Sequence, residues 1–74
     1  MKIIHAHCES DWEGLYIDGI CVAQEHSLRL GSILELIKDR GQPIAEYEPK
    51  WVDPDWMDEQ GYLPEDIKEV QWSK

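Results

Sequence analysis

The segment His5-x-His7-Cys8, with Cys21 and His26 further along, holds the residue types best suited to metal chemistry, since imidazole and thiolate are preferred zinc donors. Alternate residues of a strand share a face, so His5 and His7 would project together and could serve a metal or a small active centre. Against this, no C-x-x-C or H-x-x-x-H pair accompanies them. Cys8 points to the opposite face, and Cys21 reads as part of a packed hairpin. The competing account places the histidines on a partly exposed face and treats the thiols as small hydrophobes. The reading therefore assigns no metal ligand and no cofactor, and keeps a metal-binding protein or small enzyme using His5 and His7 as the alternative.

Other routes to catalysis are weaker. A nucleophilic Ser or Cys needs a neighbouring His that is itself oriented, and nothing in the sequence requires one. Ser10 and Ser27 read as loop and cap residues. Acid pairs such as Glu46 with Glu48, or Asp53 with Asp55, are expected by chance among 16 acids. The five glycines are isolated and read mostly as turns or stops, so no phosphate-cradling loop is present. No catalytic residue is assigned, and the chain is not read as an enzyme.

Charge is more informative. The net charge is −9, which repels nucleic acid and anionic membranes, and the seven Lys and Arg residues are scattered. Between residues 46 and 69 nine acids face two bases, so −7 of the −9 falls there. Trp51, Trp56 and Tyr62 are interleaved with those acids, and Trp and Tyr are common interface anchors. The candidate partner-binding set is Glu48, Trp51, Asp53, Asp55, Trp56, Asp58, Glu59 and Tyr62. Such a surface suits a basic protein groove, including one that normally holds nucleic acid. The competing account makes Trp51 and Trp56 the roof of a thin core and Asp53 a helix cap. Further readings are self-association through the strand at 44–52, and an oligomeric small-molecule binder or sponge.

These residues must be positioned by one small domain over residues 1–74. Residues 2–8 read as a strand with Ile4, Ala6 and Cys8 facing the core, and residues 9–14 as a polar loop. Asp18-Gly19 predicts a two-residue hairpin in which Ile17 faces Ile20, Leu15 faces Val22, and Tyr16 and Cys21 share the reverse face. A helix is expected over about 28–40 with Leu30, Ile33, Leu34 and Ile37 buried. Ser27 would cap it, or Ser32 and Glu35 would form a capping box one turn later. Gly41 and Pro43 should stop it. Residues 44–52 read as an edge strand because of Pro49. Asp53-Pro54 opens a short helix ended by Gly61, and another turn follows from Pro64 to Val70. The expected fold is α+β, a small antiparallel sheet of three to four strands with one helix on one face, in the order β-β-β-α-β plus short C-terminal helical turns.

The string Asp11-Trp12-Glu13-Gly14-Leu15-Tyr16-Ile17-Asp18-Gly19, then His26-Ser27-Leu28 and Leu63-Pro64-Glu65, resembles a group of short hypothetical proteins from bacteriophages and bacteria. The resemblance spans roughly residues 11 to 70 and implies a phage or mobile-element setting, in which small acidic proteins often inhibit host or defence enzymes. It carries over no functional residue. Two cysteines do not make the disulfide framework of a small secreted domain, and no signal peptide or membrane span is visible. The expectation is a bacterial or host cytosolic protein that binds another protein and inhibits it.

Overall fold

Apolar residues at both odd and even positions of one strand demand cover on both faces of the sheet. In the computed structural model, which describes residues 1–73, that strand is β1 (Lys2–Cys8). It is joined by β2 (Trp12–Ile17), β3 (Ile20–Glu25) and β4 (Glu46–Trp51) in the spatial order β3-β2-β1-β4. The fold is α+β, as the sequence predicts. One pairing differs: β4 runs parallel to β1, from Lys2 opposite Glu46 to His7 opposite Trp51, so the sheet is mixed. The intervening helix returns the chain to the end where β1 starts, which is how a parallel neighbour is reached.

The predicted hairpin is present, with positive φ at both Asp18 and Gly19. Ile17 pairs with Ile20 and Tyr16 with Cys21, but Leu15 pairs with Ala23 and not Val22. A bulge leaves Val22 as the extra residue, and both Val22 and Ala23 pack towards the same cluster. The polar loop is also shorter than expected. Trp12, Glu13 and Gly14 belong to β2, opposite Cys8, His7 and Ala6. Gly14 is therefore no turn residue: a Cβ there would run into the Leu63 side chain packed over it.

Helix α1 (Leu30–Arg40) starts later than Ser27, and its N-cap Arg29 makes no side-chain cap hydrogen bond, so neither expected cap forms. The reason is Leu28, which an extended approach delivers into the core at 8 % exposure. Leu30 and Leu34 are left 70 % and 53 % exposed, whereas Ile33 is buried and Leu36 and Ile37 are half-buried. The buried stripe is thus rotated from the expected one. Gly41 ends the helix as predicted, with φ 67° and its N–H on the Lys38 carbonyl.

The chain after β4 forms a strap over the other face. Asp53 caps α2 (Pro54–Gln60) through the amides of Asp55 and Trp56, and Gly61 closes it with φ 78°. A 3₁₀ turn (Ile67–Glu69), capped by Asp66, lies within the span predicted from Pro64 to Val70. Bridges from Asp66 to Ile20 and from Trp72 to Val52 tie the strap to β3 and to the chain just past β4. Gln24 clamps it centrally, donating to the Leu63 carbonyl and accepting from the Leu63 amide.

Two cores result. Ile3, Leu15 and Ile17 pack with Leu28 and Ile33 beneath α1. Ile4, Ala6, Cys8 and Tyr16 pack with Val52, Met57, Leu63 and Val70 beneath the strap. Strand β4 lies at an edge, as predicted. The Glu46 amide donates to the Met1 carbonyl just before β1 and the Val52 amide to the His7 carbonyl within it, so by alternation Pro49 turns its missing N–H outward, where no ladder bond is lost. Among the described residues no helix is long and apolar enough to cross a membrane.

Candidate functional site

Odd-numbered residues of β1 and β4 share the α1 face, but α1 covers only the Ile3 end of it. Beyond it lie His5 and His7. The antiparallel register sets Glu13 beside His7, and the parallel register sets Trp51 on its other side. Side chains on three adjacent strands therefore meet in one cross-sheet row.

His5 is 7 % exposed, so the expectation of histidines on a partly exposed face holds for His7 and fails for His5. Both of its ring nitrogens are partnered: Nε2 lies 2.7 Å from Glu13 Oε1 and Nδ1 lies 3.0 Å from the Tyr47 hydroxyl. With the proton on Nε2 donated to Glu13, Nδ1 accepts from Tyr47. The His7 ring lies between its neighbours, with centroids 4.2 Å from His5 and 5.2 Å from Trp51. Burial and, second, the nearby His5 push the His7 pKa below its ordinary value, opposed by Glu13. Ligand atoms of His5, His7 and Glu13 all lie within 4.8 Å of one another.

The thiols stand apart from this cluster. Cys8 faces the strap, and burial pushes its pKa up to about 11, with Glu13 adding to the rise. Cys21 is also raised, chiefly by burial, and both cysteines are free. His26 is elsewhere too, edge-on to Trp12 with centroids 5.1 Å apart.

The acidic, aromatic set divides by position. In α2, Met57 is buried and Trp56 half-buried against the strap core, while Asp55, Asp58 and Glu59 are exposed. Their i, i+3, i+4 spacing places these three carboxylates on one outward stripe. Tyr62 follows, 57 % exposed. Asp53 accepts from the Asp55 and Trp56 amides, so it acts as the cap the sequence suggests. Trp51, also 57 % exposed, stacks on His7, whereas the exposed Glu48 projects from the opposite face of β4 by strand alternation.

Glu13 and Tyr47 are the two members of the histidine cluster that sequence reasoning missed. Treating residues 9–14 as a loop hid Glu13. Pairing β1 with β2 across a three-residue loop at 9–11 would have set it opposite His7. Tyr47 had no comparable signal, because its place depends on the parallel β1–β4 pairing. No protein-family model, curated protein or solved structure matches this chain.

Proposed function

We propose that this chain is a small acidic protein-binding module of phage type that inhibits a host or defence protein by occupying a basic groove that otherwise holds nucleic acid. The observation that carries this reading is the outward stripe of Asp55, Asp58 and Glu59, followed by Tyr62. Met57 and Trp56 anchor the same helix on its inner side, so the charges are held on a fixed element. A fixed row of carboxylates loses less side-chain freedom on docking, and the exposed Tyr62 and Trp51 rings supply the apolar contact that charge lacks. Asp53 and Trp56 support this surface from within. Glu48 would reach the partner only if the groove also wraps the far face of β4.

The test is capture of a partner from host lysate at low and high salt, repeated with Asp55→Asn, Asp58→Asn and Glu59→Gln combined. The expected outcome is capture about tenfold weaker at low salt and a flatter salt dependence. Capture with unchanged strength and salt response in the triple variant would end the charge argument.

A further inference from the structure

We propose that His5, His7 and Glu13 bind one divalent first-row transition-metal ion, of which zinc is the reference case. Two imidazoles and one carboxylate form a known three-ligand zinc set that leaves a further position for water. Here they converge without any change of backbone register, because the cross-strand pairing already sets Glu13 beside His7, and His5 lies two residues back on the same face.

The required adjustments are small. Bonds of about 2.0–2.1 Å in a tetrahedron set ligand atoms about 3.3 Å apart. The His5–Glu13 pair must open by about 0.6 Å from 2.7 Å, and no other pair need close by more than about 1.5 Å from 4.8 Å. The half-buried Glu13 and His7 side chains supply that movement.

His5 can become a ligand without losing its second partner. A metal on Nε2 requires the proton to sit on Nδ1, and the Tyr47 hydroxyl, 3.0 Å away, can accept as readily as it donates. Tyr47 would then hold the ring as outer partners of metal-bound histidines do. His7 adds the argument against a purely structural dyad. It enters none of the side-chain hydrogen bonds among the described residues, yet its ring is held against His5 with one ring nitrogen within 4.8 Å of a Glu13 carboxylate oxygen. Among those residues this is the one such trio of donors, although the chain has 16 acids. The acids of α2 splay outward and do not form another. A net charge of −9 further favours a cation over an anion.

The test is calorimetric titration of the untagged full chain with Zn²⁺. One equivalent should bind. Glu13→Gln and His7→Ala should each weaken binding more than about tenfold, and Tyr47→Phe, which removes only the outer partner, by about tenfold. His26→Ala should leave affinity unchanged. Should His7→Ala fail to fold by circular dichroism, His7→Gln keeps much of the volume and answers the same question. As an independent reading, Cu²⁺ should quench the Trp51 component of the fluorescence, and Trp51→Phe should lose that component while retaining Zn²⁺ affinity. Absence of saturable binding, or binding equally tight in the Glu13 and His7 variants, would overturn the proposal.

Discussion

The two faces of the sheet are built from the same strands and finished differently. Under the strap, Ile4, Ala6, Cys8 and Tyr16 meet Val52, Met57, Leu63 and Val70 along most of β1. Under α1, apolar cover reaches Ile3, Leu15 and Ile17 and then gives way to His5, His7 and Glu13. The strap can follow the whole face because it joins two short helical pieces by irregular chain. It is bridged to β3 at Asp66, has its ends bridged to each other at Val52 and Trp72, and is clamped by Gln24. A helix of 11 residues is rigid and covers one stretch. In a chain this small, the area a helix cannot reach is where polar side chains can be tolerated. Stability should therefore reside mainly under the strap, and ligand chemistry beside the helix.

The largest effects should fall on the strap. Leu63 is 1 % exposed and fills the space left by Gly14, so Leu63→Ala removes packing from strap and sheet together. We expect a loss of about 3 kcal/mol in urea unfolding, against about 2 kcal/mol for Ile33→Ala under α1. Ile33 is 6 % exposed, but half-buried Leu36 and Ile37 leave its surroundings freer to close. A greater loss for Ile33→Ala would reverse the ranking of the two faces.

Alkali should discriminate between them as well. Burial raises the Tyr16 phenol well above its usual range and moves the Cys8 thiol from 9.0 to about 11. Both lie under the strap, and Tyr16 donates its hydroxyl proton to the Pro64 carbonyl. A group whose pKa is raised on folding supports the fold below its unfolded value and loses that support as pH climbs towards the folded one. Stability should thus hold up to about pH 9 and fall between there and 11 as Cys8 ionises, with Tyr16 extending the fall beyond. Urea midpoints measured across that range check the sign. A flat response would show that folding raises neither the Cys8 nor the Tyr16 pKa and would overturn the expectation.

What could be read in advance was local. Asp18-Gly19, Gly41, Asp53-Pro54 and Gly61 each act through their own backbone preferences, and each performs its expected role. The phase of α1 was hidden because Leu28, outside the helix, competes with Leu30 for the same core, and periodicity within a helix cannot register a competitor beyond its end. The parallel placement of β4 was hidden for a similar reason: choosing β1 over β3 as its neighbour depends on where α1 returns the chain. The half-site formed by His5 and His7 was legible from strand alternation. Its completion by Glu13 needed the register, and by Tyr47 the topology.

The smallest expected effect on stability is the most informative about the open half of the α1 face. His7→Ala removes ring contacts with His5 and Trp51, worth about 0.5–1.5 kcal/mol for a well-placed aromatic pair. It also relieves a half-buried imidazole that enters no side-chain hydrogen bond among the described residues, and Trp51 is already more than half exposed. These opposing contributions should leave a net change of about 1 kcal/mol or less in urea unfolding of the metal-free chain. A loss comparable to that of Leu63→Ala would make His7 a core residue and extend the sealed region across both faces. A small loss, accompanied by failure to bind Zn²⁺, would separate the ligand role of His7 from any part in holding the fold.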